Sequence, residues 1–419
     1  MSVATESTEK TFASLNPATG EVVAEHPVHD ATDVAAAIDR ATEASRWWGE
    51  LGRRERRLRL LNIKGALARN LNRMAEIIHQ ETGKPVADAQ LETIMAISHL
   101  DWAARNAGKV LGPRSVYPGM MAINQKCTLE YQPLGVVGVI GPWNYPIFTP
   151  IGSIAYALAA GNAVVFKPSE FTPGVGTYLA ELVAGVVPEH PVLQVVTGYG
   201  ATGAALASSP HIGKLAFTGS APTARKVMAA CAENLTPIVA ECGGKDACIV
   251  DADADLDAAA DAALWGAMSN AGQTCIGVER IYVVDRAYDA FLGKLTDKAR
   301  ELRPGFDREA AYGPITMPPS WRSSSGTSRT RSTRAARRSS AGPSPSASPT
   351  WSRSSSPTSR TTRRRSARRR SARRSPCTAS AASTRPSRRP TASTTAWPGR
   401  SSPATSPARW RRPARCAPG

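Results

Sequence analysis

From Met317 to Gly419 the chain has no Ile, Leu, Val, Phe or Tyr, no lysine and no acidic residue. Ser, Arg, Pro, Ala and Thr dominate there, so this segment cannot build a hydrophobic core and is expected to be disordered. Other absences are narrower. No stretch of about 20 unbroken apolar residues occurs; the best candidate, Ile151 to Phe166, is interrupted by Gly161 and Asn162. Met1 to Ala13 is polar and acidic, without the charged-then-apolar order of a signal peptide. The cysteines (Cys127, Cys231, Cys242, Cys248, Cys275, Cys377 and Cys416) show no CxxC and no zinc spacing, so no metal site is expected. Free thiols in a reducing compartment account for them, and the expectation is a soluble, cytoplasmic protein.

The net charge of +18 is unevenly spread. Residues 317–419 hold 24 arginines, and without them residues 1–316 carry −6. A mildly acidic body is thus joined to a very basic segment. At roughly 150 residues per domain, the chain has room for two or three domains.

Residues 1–30 read as an extended lead-in with a turn at Asn16–Gly20. Val34, Ala37, Ile38 and Ala41 recur at helical spacing, with Thr32 or Asp33 available as cap. Leu60, Ile63, Leu67, Leu71, Met74 and Ile78 mark a second helix, stopped by Gly83 and Pro85. A third covers about Ala87 to Lys109, and Lys126 to Gln132 reads as an exposed strand. Four short apolar runs follow, Gly135–Ile140, Ala163–Phe166, Val192–Val196 and Lys214–Phe217, separated by helical stretches such as Ile151–Ala160 and Val175–Val187. Buried strands alternating with helices predict an α/β fold with a doubly wound parallel sheet. A second α/β set begins with Ala247–Val250, a helix over Leu256–Ser269 and a strand at Arg280–Val284.

In doubly wound sheets ligands sit at the carboxyl ends of the strands. The first strand ends in Gly141-Pro-Trp-Asn-Tyr-Pro146, where Asn144 is either an oxyanion donor or part of an ordinary turn. The second ends in Lys167-Pro-Ser-Glu170; Lys167 and Glu170 bracket a ribose, or Ser169 and Glu170 cap the next helix. The third ends in Gly198-Tyr-Gly-Ala-Thr-Gly203, formally G-x-G-x-x-G, but without the acid about 20 residues on that a dinucleotide fingerprint requires. The fourth ends in Thr218-Gly219-Ser220 ahead of a helix from Pro222, suiting a phosphate or a plain cap. Downstream stand Glu241 and Cys275, the latter in a polar Gly-Gln-Thr-Cys loop. No histidine lies between Ala240 and Cys275, which leaves Glu241 as the nearest base. A cysteine nucleophile with a carboxylate base suits aldehyde chemistry: thiolate addition, hydride loss to a nicotinamide, then hydrolysis of the thioester.

Together, Gly141–Pro146, Gly161–Glu170, Phe217–Ser220, Glu241–Lys245 and Gly272–Cys275 resemble the aldehyde dehydrogenase superfamily, in collinear order from about Asn16 to Pro314. The resemblance implies Cys275 as nucleophile, Glu241 as general base, and Asn144 with the Cys275 backbone N–H as oxyanion hole. It implies that Lys167 and Glu170 hold the adenosine ribose and that Trp143 and Ser220 lie near the pyrophosphate. Ser169, Gly200, Thr218, Gly219 and Cys242 complete the expected cofactor site. Glu170, able to take both ribose hydroxyls, favours NAD, with NADP as the alternative. The implied organisation is an NAD-binding unit over 1–243 with an oligomerisation strand near 124–134. The first part of a catalytic domain follows over 244–316, and then the basic segment 317–419.

The family has leucine at position 242, threonine at 221 and glycine at 224, where this chain has Cys242, Ala221 and Ala224. More seriously, nothing past Pro318 matches the family's Glu-x-Phe-Gly-Pro stretch, whose glutamate holds the nicotinamide ribose, or its closing oligomerisation strand. The chain as written is therefore expected to be poorly active and doubtful as a homo-oligomer. NADH production by the purified chain, lost in Cys275→Ser, would overturn that expectation. Catalytically silent alternatives are a relative that only binds, or a chimera whose basic segment binds nucleic acid nonspecifically. Out-of-frame GC-rich codons yield Arg, Ser, Pro and Ala, so the hypothesis for residues 317–419 is a shifted reading frame, with a genuine disordered basic tail as its rival. Translating the downstream DNA in the other two frames is expected to reveal Glu-x-Phe-Gly-Pro; its absence from both contradicts the shift.

Overall fold

The computed structural model describes residues 10–317 and one further two-residue strand, Thr350–Trp351. The expected disorder and nucleic-acid binding of 317–419 otherwise lie outside the described residues. The lead-in is a hairpin of β1 (Thr11–Leu15) and β2 (Val22–Pro27), paired antiparallel. Its turn closes where Gly20, at φ 78°, donates its N–H to the Asn16 carbonyl at 2.7 Å.

Helix α1 (Ala31–Glu50) starts one turn position earlier than the sequence suggests. Asp30 is the cap, accepting the Thr32 and Asp33 N–H groups, while the Asp33 carboxylate takes the Asp30 N–H in return. Asp33 is thus the reciprocal member of a capping box rather than the cap. The expected second helix is two: α2 (Arg53–Arg69) and α3 (Leu71–Thr82). Asn70 leaves the helical region at ψ 19°, and its side-chain amide donates to the Ala66 carbonyl. Apolar spacing runs across this joint uninterrupted, because both helices bury against the same core. Gly83, left-handed at φ 75°, ends α3, and α4 (Val86–Val110) follows. The exposed strand is β4 (Cys127–Leu129), paired antiparallel with β3 (Arg114–Val116).

The alternating region forms β5 (Val136–Ile140), α5 (Phe148–Ala159), β6 (Ala163–Lys167), α6 (Pro173–Val186), β7 (Leu193–Val195), α7 (Gly200–Ala207), β8 (Lys214–Gly219), α8 (Ala221–Glu233) and β9 (Ile238–Cys242). These five strands pair all-parallel in the order β7-β6-β5-β8-β9. Helices α1, α7 and α8 pack on one face; α5 and α6, backed by α2 to α4, pack on the other. Coverage on both faces explains why β6 is buried at every position and reads as Ala-Val-Val-Phe-Lys. The core runs through Trp48, whose indole N–H donates to the Leu158 carbonyl at 2.7 Å, to Phe166 and Leu215. The order reverses at β5, which puts the ligand crevice of such sheets at the carboxyl ends of β5 and β8.

A smaller core follows, built by β10 (Asp246–Val250), α9 (Leu256–Met268), β11 (Val278–Val283) and α10 (Asp285–Glu301) around Val250, Ile281, Phe291 and Leu295. Strands β10 and β11 are parallel, and β12 (Thr350–Trp351) pairs along β11 opposite Arg280 and Ile281.

Glu81 ties α3 to α6: its buried carboxylate accepts the Gly174 and Val175 N–H groups at 2.9 and 3.2 Å. A Cβ at position 174 would come within 2.8 Å of Glu81 Oε1, so any other residue there would make the carboxylate shift from its two N–H donors. Burial pushes the Glu81 carboxyl up to about 7, outweighing these hydrogen bonds. The folded state therefore holds the proton more tightly than the unfolded chain. The contribution of Glu81 to stability is greatest below the ordinary value of 4.5 and falls as pH rises towards about 7. We expect Glu81→Gln to remove up to about 3 kcal/mol of that decline. Denaturant midpoints at both ends of the window check this; equal declines in the two chains would contradict it.

Candidate active site

Two loops meet outside the carboxyl end of β5. The first, Gly141–Pro146, follows β5 directly; the second, Ser269–Cys275, joins α9 to β11. The Asn144 side-chain amide donates to the Gln273 carbonyl at 2.8 Å, and Tyr145 shares a hydrogen bond of 3.0 Å between its hydroxyl and that of Thr274. Residues 144 and 145 thus engage 273 and 274 in register, one position short of Cys275, whose side chain is exposed. Burial pushes the Tyr145 phenol up, helped by the charges of Glu92, Asp88 and Cys275 and opposed by the Thr274 hydrogen bond.

The cysteine loop has an unusual backbone. Asn270, Ala271 and Gly272 lie consecutively in the left-handed region at φ 53°, 57° and 75°. Only glycine is at ease there, and each of the others costs on the order of 1 kcal/mol. Asn270 is buried and holds the bend: its side-chain amide donates to the Asn144 carbonyl at 3.1 Å and the Gln273 carbonyl at 3.3 Å. Gln273 in turn accepts the Thr316 N–H at 2.9 Å and donates to the Asn270 and Pro314 carbonyls. An apolar cavity of about 450 Å³, lined by Met268, Ala271, Phe306, Tyr312 and Pro314, lies beside this loop.

Glu241 and Cys242 end β9 opposite Thr218 and Gly219 of β8, and both side chains are exposed. The Gly244 N–H donates to the Cys275 carbonyl at 3.2 Å, which sets the turn after Glu241 against the backbone of the cysteine. Ser220 caps α8, its hydroxyl accepting the Thr223 N–H at 3.3 Å. At the end of β6, the buried Lys167 ammonium donates to the Pro168 carbonyl at 3.0 Å and stands 3.8 Å from Glu170. Burial lowers the Lys167 ammonium, partly offset by Glu170. Ser169 accepts the Phe171 N–H at 3.3 Å and reaches Glu170 at 3.4 Å. Trp143 is half-buried between Asn144 and the strand end, and Gly200 opens α7 at the edge-strand end of the sheet, exposed. Among the described residues, no group of three or more His, Cys, Asp or Glu is placed to hold a metal, and no helix is long and apolar enough to cross a membrane.

Comparison with known proteins gives the same order of elements a family. The sequence profile of the aldehyde dehydrogenase family matches residues 3–345. The chain belongs to that family. It is 37% identical over 309 residues to the glutarate-semialdehyde dehydrogenase of Pseudomonas aeruginosa, covering 73% of this chain and 63% of that protein. It is 37% identical over 303 residues to the NADP(+) succinate-semialdehyde dehydrogenase of Escherichia coli K12, covering 72% and 62%. A crystal structure of an NADP-dependent enzyme from E. coli superposes with a TM-score of 0.73 at 35% identity, covering 75% of this chain and 66% of that one. The chain thus spans less than two thirds of the length of these relatives.

Sequence reasoning passed over Lys84, Glu92, Tyr145 and Asn270. The first two are read only as loop and helix, and Asn270 only as part of a polar loop. The Ser-Asn-Ala-Gly run, ending in glycine, is the one signal of a left-handed bend. Asn270→Ala should cost about 2 kcal/mol, since it removes two amide hydrogen bonds. Asn270→Gly should cost about 1 kcal/mol less, because glycine sheds the left-handed penalty. Urea midpoints of the two variants decide it; equal losses would contradict strain at this position.

Proposed function

We propose that this chain is built to oxidise an aldehyde to its carboxylate with NAD or NADP, through a covalent adduct on Cys275. The contact of Asn144 and Tyr145 with Gln273 and Thr274 supports this reading, because it ties the loop after β5 to the loop that ends in Cys275, at the crevice where such sheets bind ligands. One Asn144 amide hydrogen is spent on Gln273. The second, with the Cys275 N–H, would receive the negative oxygen when the Cys275 thiolate adds to the carbonyl carbon. Glu241, exposed at the end of β9, would deprotonate the water that hydrolyses the acyl–cysteine.

The nucleotide fits the residues present. Lys167 and Glu170, at the end of β6, would hold the adenosine ribose, with Ser169 fixing Glu170. Thr218, Gly219 and Ser220, with Trp143, Gly200 and Cys242, would line its path to the crevice. The carboxylate of Glu170 favours a ribose with a free 2′-hydroxyl, so NAD is the better fit. When bound, the nicotinamide supplies the hydride acceptor.

The division at residue 243 into nucleotide-binding and catalytic units, a cytoplasmic location, and assembly through the strand near 124–134, which holds β4 of the β3–β4 hairpin, belong to the same reading. Around that hairpin Tyr117, Met120, Met121 and Ile123 are exposed. Turnover by this chain is expected to be low, since it has no Glu-x-Phe-Gly-Pro stretch.

Hydrolysis of an activated ester such as 4-nitrophenyl acetate tests the cysteine chemistry without the cofactor. Cys275→Ser should abolish it. Glu241→Gln should release one equivalent of nitrophenol in a burst and then slow at least 10²-fold. Hydrolysis indifferent to both substitutions would overturn the proposal.

A further inference from the structure

Lys84 and Glu92 form the most deeply buried ion pair among the described residues, at 2.6 Å, with both side chains 1% exposed. They lie far from Cys275 in the chain. Lys84 follows the left-handed Gly83 at the end of α3, and Glu92 sits on α4. What the pair touches is specific. The Lys84 ammonium donates to Glu92 Oε2 and to the Asn144 carbonyl at 2.8 Å, and lies 4.4 Å from the centre of the Tyr145 ring. The other Glu92 oxygen accepts the Ile147 and Phe148 N–H groups at 3.0 and 3.2 Å. One pair thus grips the loop at 144–145 and again at 147–148. Asn144 and Tyr145 are the residues whose side chains reach Gln273 and Thr274.

Packing alone is a poor account of this arrangement. Burying two charges requires stripping both of water, and apolar residues of similar volume often hold helices as well or better. What an ion pair adds is direction. The ammonium is a donor aimed at one carbonyl, and that carbonyl also receives the Asn270 amide. A closed circuit results: Lys84 to the Asn144 carbonyl, Asn270 to the same carbonyl and to Gln273, and the Asn144 amide back to Gln273.

We infer that Lys84, held by Glu92, is a positioning residue for the Asn144 amide and so for the oxyanion side of Cys275. The inference rests on the aldehyde reading above. The relevant step is reversible and needs no cofactor. The Cys275 thiolate forms a C–S bond to the carbonyl carbon, the carbonyl π pair moves to oxygen, and that oxygen takes a proton from solvent, which received one when the thiol ionised. A misplaced oxyanion donor weakens this adduct without changing the thiol's access to a small alkylating agent.

The experiment uses the full chain and propionaldehyde carrying ¹³C at the carbonyl. The Cys275 adduct is read by ¹³C NMR as the signal missing from Cys275→Ser, and the iodoacetamide rate of Cys275 is measured in parallel. The test variant is K84M/E92Q, which keeps shape and leaves an oxygen for the Ile147 and Phe148 N–H groups. Its adduct affinity should fall at least tenfold, approaching that of Asn144→Ala, with the iodoacetamide rate unchanged within about twofold. If K84M/E92Q does not fold by circular dichroism, E92Q carries the same comparison. Undiminished adduct affinity overturns the positioning role and leaves the aldehyde reading standing. Absence of any Cys275-dependent adduct in the unaltered chain overturns the aldehyde reading and this inference with it.

Discussion

The hydrogen bond from the Asn144 side chain to the Gln273 carbonyl is the constraint on which the candidate site depends. It joins a loop fixed by the five-stranded sheet to a loop that leaves the smaller α/β core. Each side also has an anchor of its own: the Lys84–Glu92 pair for residues 144–148, and Gln273, bonded to Pro314 and Thr316, for 270–274. The meeting point inherits precision from both. That is the property the proposed nucleophile and oxyanion donor would require, since neither could tolerate displacements of about 1 Å.

The strained bend at Asn270–Gly272 belongs to the same logic. Two non-glycine residues in the left-handed region persist only where the surroundings over-determine them. Here the surroundings are the Asn144 and Gln273 carbonyls, the acceptors that also organise the contact between the loops. The backbone distortion and the placing of the cysteine are therefore one feature. The Glu81 carboxylate at the start of α6 shows the opposite case, a buried group that binds helices together while its own ionisation opposes folding.

Much of this was readable in the chain. Strands β5 and β6 are continuous apolar runs because helices cover both faces, and that pattern has few other meanings. The polar residues just past the ends of β5, β6 and β8 declared themselves by position. What escaped did so for physical reasons. The break at Asn70 is invisible because Leu67, Leu71 and Met74 continue the same apolar stripe across it. The edge strand β9 carries Glu241 and Cys242 exposed and has no alternation to betray it. Helix α10 buries Ala287, Phe291 and Leu295 at four-residue spacing, a pattern legible but thin within a strongly charged segment. Lys84 was hidden more thoroughly. Lysine is rarely buried, and its partners lie 8 and 60 residues away, so no local pattern pairs them.

The most direct measurement is a nuclear Overhauser contact in the folded chain, with ¹⁵N supplied on asparagine side chains. The Asn144 amide protons should show cross-peaks to the backbone of Gln273 and Thr274 and should exchange slowly with solvent. A rapidly exchanging Asn144 amide with no cross-peak to either residue would mean that the two loops do not meet, and would contradict the account.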